Sequence, residues 1–371
     1  MLEISKKIDT YLGTWLSYFF SIFVSKKTKD IQMSEVNTIL TIKLIALGDL
    51  MLVLPQLKLI KEMFPDKKLI LLTTKRVKAV VERQPFIDQV IYMEVRPLAI
   101  IRTIFLLRQL HIDLSIDFEH YYRLTALMCF FANIRYRIGF SIPGQGRDRL
   151  FTFSVPYDKI HHELLVFNSL LAPLKIIKLP ELVGLPFTPE EKSKVDTLLK
   201  REKVEQYLLI QPGTSGIALG RRWSNDRWVE LIKKITQAFP AIRIIIVGGP
   251  IEQEIVKEWK NAGNDFLNWT GMFNLAEFYY LVTKARVFIG LDTGTTHIAA
   301  SARVNIVVLY GLNNPAKWGP YGEKNISIIS HADPVEYSYN YLGKISKLTE
   351  SKGMLATSAE EVFEQVKKFL V

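Results

Sequence analysis

From Asn37 onward the chain alternates short, nearly continuous apolar runs with stretches of helical period, and it does so twice. "TILTIKLIAL", "KLILLTT", "QVIYME" and "DLSIDF" read as strands. "LMLVLPQLKLIKEMF", "RVKAVVERQ", "LAIIRTIFLLRQL" and "RLTALMCFFANI" follow them as helices. Strands apolar on both faces and separated by helices predict a parallel sheet covered on both sides. The stretch "LLAPLKIIKLPELVGLPFTPEE" carries four prolines and no long period, so it reads as a linker. The pattern then restarts with "QYLLIQPG", "IRIIIVGG", "FLNWTG", "RVFIGLD" and "NIVVLYG" as strands. The expected fold class is α/β: two Rossmann-like, doubly wound parallel-sheet domains facing a central cleft. The expected divisions are an amphipathic N-terminal segment at 1–36, a first domain at 37–185, a second at 186–357 and a terminal helix at 358–371. In that helix Ser358 and Glu361 fit a capping box.

A length of 371 residues agrees with two domains. The single cysteine, Cys129, excludes an internal disulfide and reads as a buried structural thiol in "TALMCFFA". No cysteine–histidine set indicates a metal. The net charge of +11 predicts anionic partners: a nucleotide, a phosphorylated substrate or a membrane surface. Nucleic acid is excluded as a partner by the lack of any recognisable nucleic-acid-binding motif. No strand-following G-x-G-x-x-G supports a dinucleotide oxidoreductase.

Ahead of the first strand, Leu12, Trp15, Leu16, Phe19, Phe20 and Phe23 form a helical stripe. Lys6 and Lys7 precede it, and Lys26, Lys27 and Lys29 follow. The apolar stretch is about 14 residues long, short of the roughly 20 that span a bilayer. Two readings are open. Residues 1–30 lie at an anionic membrane surface as an interfacial helix, or the helix docks on the protein itself.

Ligands of open parallel sheets bind at the carboxyl ends of the strands, so the residues there carry the function. "GLDTGTTHIAAS" ends one strand and opens a helix. Asp292 is placed to cap that helix, and the amides of Gly294, Thr295 and Thr296, with the helix dipole, suit a phosphate or diphosphate. His297, in the first turn, either meets a phosphate oxygen or satisfies a carbonyl. "QPGTSGIALGRRW" offers small hydroxyl residues and then Arg221, whose paired donors match phosphate. Glu252, after "VGGP", either accepts from ribose hydroxyls or is an ordinary first-turn acid. Asp49, after "LG", is either a general base or an N-cap. "NIRYRIGFSIPGQGRDRLF" reads as a glycine-rich loop carrying Arg135, Arg137, Arg147 and Arg149, either a site for an anionic acceptor or surface charge.

Taken in order, "LGDLMLVLP", "RYRIGF", "PGTSGIALGRRW", "IIIVGGPIEQE", "TGMFNLAEFYYLVTKARVFIGLDTGTTHIAAS", "VVLYGLNNPAKWGPYG" and "GMLATSAEEVFEQV" resemble glycosyltransferase family 9, the bacterial heptosyltransferases. The resemblance implies a GT-B fold whose last helix packs back toward the first domain. It implies an inverting, metal-independent transfer from a nucleotide-diphosphate sugar, ADP-heptose in most members, to a phosphorylated lipopolysaccharide-core or related glycolipid acceptor. No further cofactor is implied. Carried over by motif, Asp49 would be the catalytic base. Thr214, Ser215, Arg221, Glu252, Asp292, Thr293, Gly294, Thr295 and His297 would hold the donor. Arg135, Arg137 and Arg147 would face acceptor phosphates. Such an enzyme would be cytoplasmic and peripheral to the inner face of the cytoplasmic membrane. The chain departs from the family pattern at Arg221, where lysine is usual, at Ser224, where proline is usual, and at Asn313 and Asn314 in place of Thr-Asp. These departures bear on the donor's identity. The alternatives are a GT-B enzyme using a UDP- or GDP-linked sugar, and a non-catalytic nucleotide-sugar-binding protein.

Overall fold

The computed structural model describes residues 8–24, 30–44, 46–214, 219–261, 265–322, 325–331 and 351–371. Ser215 and the lysines at 6, 7, 26, 27 and 29 lie outside them. The chain divides into two compact units, Met1–Val183 and Gly184–Val371.

The first unit holds strands β1 (Thr38–Ile42), β2 (Lys68–Thr73), β3 (Gln89–Tyr92), β4 (Leu114–Asp117), β5 (Tyr136–Ser141) and β6 (Phe153–Pro156). Its sheet runs β3-β2-β1-β4-β5-β6, with every pair parallel. The second unit holds β7 (Tyr207–Gln211), β8 (Arg243–Ile246), β9 (Leu267–Asn268), β10 (Val287–Leu291), β11 (Asn305–Tyr310) and β12 (Ile326–Ser330). Its sheet runs β12-β11-β10-β7-β8-β9, again all parallel. Counted from each unit's first strand, the two orders are the same. Both reverse direction beside the first strand: between β1 and β4, and between β7 and β10.

The helices used below are α1 (Thr14–Phe20), α2 (Leu47–Met63), α3 (Pro97–Gln109), α4 (Leu124–Phe131), α5 (Asn225–Ala238), α6 (Pro250–Asn261), α7 (Gly294–Ser301) and α8 (Ala359–Leu370). β7 and β10 are buried along their whole length, as sheets covered on both faces require. The second core gathers Leu208, Ile210, Trp228, Ile246, Ile289 and Val307 from strands and helix. The last helix, expected to reach back toward the first unit, puts Val362 and Val366 into this second core. Its cap is half a capping box. The Ser358 hydroxyl accepts from the Glu361 amide at 3.1 Å, while the Glu361 carboxylate turns to His331 at 2.8 Å.

One segment read as a loop is a strand. "YRIGFS" forms β5, its first five residues buried. The glycines and arginines that follow it masked a short apolar run. Gly139 within it lies beneath the Phe151 ring, so that a Cβ there would collide with three ring atoms. Cys129 is fully buried, as expected, and burial pushes its thiol up to about 12.

α1 is preceded by a π-type turn at Asp9–Gly13 and followed by a 3₁₀ turn at Ser21–Phe23. The aromatic stripe expected here divides. Leu16 and Phe20 pack on Ala126, Leu127, Leu150 and Phe151. Leu12, Trp15, Phe19 and Phe23 face outward. Among the described residues no helix is long and apolar enough to cross a membrane.

Gly139→Ala should destabilise the first unit by about 1–3 kcal/mol, because the buried Phe151 ring must shift to admit the methyl. Urea denaturation checks this; an unchanged midpoint would mean that the ring yields freely.

Candidate active site

In the first unit the chain leaves β1 through Lys43 and Leu44. It turns at Ala46, whose φ of 75° is strained for a residue with a Cβ, and enters α2. Asp49 sits in the first helical turn without capping it, since Ala46 holds the cap position and no side chain bonds the first amides there. The N-cap reading of Asp49 therefore falls. Its carboxylate instead lies 2.9 Å from the Lys43 ammonium, which is also 3.7 Å from Glu119. Glu119 is fixed in turn by the Leu44 amide, which donates to it at 2.7 Å. Burial alone would depress the Lys43 ammonium, but Asp49 and Glu119 more than offset it and hold it above its ordinary range. The lysine is thus a permanent cation, 2% exposed, and Asp49 keeps 20% of its side chain open.

At the end of β4, Asp117 pairs with Arg147 at 2.6 Å, both fully buried. Burial lifts the Asp117 carboxyl to about 6, and the Arg147 guanidinium opposes the lift. The arginines read as one acceptor surface are therefore not together. Arg147 is sealed at the carboxyl end of the sheet. Arg135 and Arg137 lie at its amino end, where β5 begins. Arg135 pairs with Glu35 at 2.5 Å. The Arg137 Nε donates to the Leu150 carbonyl at 2.7 Å. Arg149 lies over the Tyr18 ring, 4.8 Å from its centroid.

In the second unit the carboxyl ends of β7, β8 and β10 bring most of the expected donor residues together. Gln211, which the sequence reading passed over, organises them. Its side-chain oxygen accepts from Thr295 at 3.0 Å and from Thr293 at 3.3 Å, and its amide nitrogen donates to the Gly213 carbonyl at 2.9 Å. Only its place as the last residue of a buried strand marked it. The Thr293 and Thr295 hydroxyl oxygens also lie 2.7 Å apart, and since each hydroxyl has one proton, one of them gives it to the other rather than to Gln211. Thr293, not Asp292, holds the cap position of α7. The expected capping role of Asp292 is corrected because its carboxylate is engaged elsewhere. It lies 3.4 Å from the Arg221 Nε and accepts from the Asn313 amide. Arg221 also donates to the Asp292 carbonyl at 3.1 Å. Burial raises the Asp292 carboxyl above its ordinary range, with Arg221 and Asn313 pulling it down.

Glu252, at the start of α6, is buried and folds against Gly213 and Gly248, where a Cβ on either glycine would meet its side chain. Gly248 has a φ of 155°, which also favours glycine. Thr214 and His297 are buried nearby in sequence to these groups, at the end of β7 and in α7. The first-turn amides of α7, at Gly294 and Thr295, have no partner within their helix and carry its positive dipole end. A half-buried set of hydroxyls, one guanidinium and a helix amino end can take up a diphosphate's charge.

Two sheets of one doubly wound order, with polar side chains at the carboxyl edge of each, are the architecture of a GT-B glycosyltransferase. The chain belongs to glycosyltransferase family 9 (heptosyltransferase), whose sequence model matches residues 100–339, more than half of the chain. It is 22% identical over 343 residues to lipopolysaccharide heptosyltransferase 3 of Escherichia coli strain K12, covering 87% of this chain and 95% of that protein. Its fold matches that of a family 9 glycosyltransferase from Veillonella parvula with a TM-score of 0.74, at 19% identity, covering 90% of this chain and 97% of the other. The E. coli ADP-heptose lipopolysaccharide heptosyltransferase II gives a TM-score of 0.70 at 18% identity, covering 90% and 98%.

Arg147→Ala, which leaves Asp117 buried without its cation, should cost about 3–5 kcal/mol of stability. Arg147→Met with Asp117→Leu should recover most of that loss in thermal unfolding. A single variant as stable as the parent would show that the pair carries no structural load.

Proposed function

We propose that this glycosyltransferase moves heptose from ADP-heptose onto a phosphorylated lipopolysaccharide-core or related glycolipid acceptor, with inversion and without a metal. The polar array on Gln211 and α7, in a chain of this family, is the observation that carries the reading. The substrate named for the similar E. coli enzyme supports the choice of donor. In this reading Asp49 removes the proton from the acceptor hydroxyl. The freed oxygen attacks the anomeric carbon in line as the bond to the ADP oxygen breaks. Lys43 keeps Asp49 oriented. The charge gathering on the diphosphate is met by the amides of Gly294 and Thr295, by Thr214, Ser215, Thr293 and Thr295, and by Arg221, an electrostatic role. His297 borders the same helix end, Asp292 holds Arg221 in place, and Glu252 accepts from the ribose hydroxyls. The acceptor's phosphates need cations other than Arg147, which Asp117 neutralises. The enzyme works in the cytoplasm at an anionic membrane surface, which its N-terminal segment reaches.

Calorimetry with ADP, UDP and GDP should show selective binding of ADP. Arg221→Ala should weaken that binding by roughly tenfold or more, since a hydrogen bond to a charged group contributes about 1.5–3 kcal/mol. Preference for UDP or GDP would move the donor assignment. Asp49→Asn should lower kcat by about a hundredfold or more with ADP affinity unchanged. Turnover at the parent rate would remove Asp49 from the mechanism.

A further inference from the structure

α1 presents two different faces. Inward, the Asp9 carboxylate accepts from the amides of Arg123 at 3.1 Å and Leu124 at 2.9 Å, at the start of α4. The Arg123 Nε donates to the Thr14 hydroxyl at 3.1 Å. Phe20 meets the Phe131 ring edge-on at 4.7 Å between centroids. Outward, Tyr11, Trp15, Phe19, Ile22 and Phe23 form an unbroken apolar stripe, with Tyr11 77% and Ile22 77% exposed. Residues 8–24 contain one charged side chain, Asp9, and it faces inward. So large an exposed aromatic face needs a partner.

A second apolar face lies on α3, where Leu98, Ile101 and Phe105 are exposed beside Arg102. α4 packs against both α1 and α3. Where the ends of the three helices meet, a cavity of about 780 Å³ is lined by Phe23, Arg108, His111, Asp113, Arg135 and Arg137, among others. Asp113 is occupied, its carboxylate accepting the amides of Asn37 at 2.8 Å and Thr38 at 3.0 Å. Arg108 donates to the Phe131 carbonyl at 2.7 Å and Arg137 to that of Leu150 at 2.7 Å. Among the described residues neither arginine is paired with a carboxylate, so their charge is not neutralised. This cavity lies at the amino ends of the strands, the edge opposite Asp49.

We propose that this surface sits on an anionic phospholipid leaflet. The outer stripe of α1 and the exposed face of α3 enter the acyl boundary, and a headgroup phosphate occupies the cavity held by Arg108 and Arg137, beside Arg135, whose guanidinium is taken by Glu35. Aromatic residues on an apolar helix face beside arginines are the combination that interfacial binding uses. The proposal deepens the membrane part of the function given above and is independent of the donor.

The test is flotation of the full chain with vesicles of phosphatidylcholine alone and of equimolar phosphatidylcholine and phosphatidylglycerol. The parent should float with the anionic vesicles and release them as salt rises. Trp15→Glu with Phe19→Glu, both exposed, should lose binding to either vesicle while keeping the parent melting temperature. Arg108→Ala should lower binding to the anionic vesicles by roughly fivefold and leave the weaker binding to neutral ones. Flotation of the Trp15/Phe19 variant like the parent would overturn the proposal. So would a lipid-free dimer of the parent that this variant dissociates, because a second copy would then cover the stripe. If the arginine variant loses affinity for inorganic phosphate yet floats normally, the cavity serves a soluble anion and the headgroup assignment fails. Transfer to a delipidated acceptor separates the two readings. A parent chain that transfers but does not float rejects only the membrane surface, and one that floats but does not transfer rejects only the enzymatic assignment.

Discussion

In a sheet whose strands all run one way, every segment leaving a carboxyl end emerges at the same edge, and every crossover must return over a face. Where the strand order reverses, the crossovers on the two sides diverge and leave that edge uncovered. The chain builds this arrangement twice, with the reversal beside β1 in one unit and beside β7 in the other. Asp49, Asp117 and Glu119 end or follow β1 and β4; Gln211, Thr214, Asp292 and Thr293 end or follow β7 and β10. Both polar groups stand where the backbone itself leaves space.

Such edges are half buried, and charges placed there need partners. The first unit answers with two pairs of different character. Lys43 serves Asp49 and Glu119 at once, and leaves one carboxylate partly open. Asp117 and Arg147 are closed to solvent and neutralise each other. A buried pair of the second kind adds little net stability, yet losing one member strands the other, so its value is in fixing the loop that carries it. The strained backbone at Ala46 sits beside the first pair. It is tolerated because β1 and α2 are both held in the core on either side of the turn.

The N-terminal helix shows how one short segment serves two surfaces. Gly13 lets the chain lie close on Arg123, where a Cβ would come within 3.1 Å of the Arg123 Cβ, and Asp9 supplies acceptors to amides at the start of α4. Docking through Asp9, Gly13, Leu16 and Phe20 leaves the broader aromatic face of Tyr11, Trp15, Phe19 and Phe23 outside. The alternatives of a membrane helix and a docked helix are therefore not exclusive in this geometry.

The sequence by itself determined the two parallel sheets, most helix positions and the residue types at the strand ends, because apolar runs and helical period are local properties. It located Asp49, Arg221, Glu252 and the "DTGTTH" turn, since strand-end position can be read from the run that precedes it. It did not show that "YRIGFS" is a strand, because its alternation of Tyr136, Ile138 and Phe140 with Arg137, Gly139 and Ser141 is short and merges into a segment rich in glycine and arginine. Nor did it separate Arg147 from Arg135 and Arg137. Twelve positions or fewer in sequence become opposite ends of one sheet when a strand runs between them. The partners of Asp49, Asp292 and Gln211 were likewise decided only by tertiary structure. Arg221 reaches Asp292 and Thr295 reaches Gln211 from elements that the strand order brings side by side, while Lys43 reaches Asp49 across the turn at Ala46, and no local pattern encodes either contact.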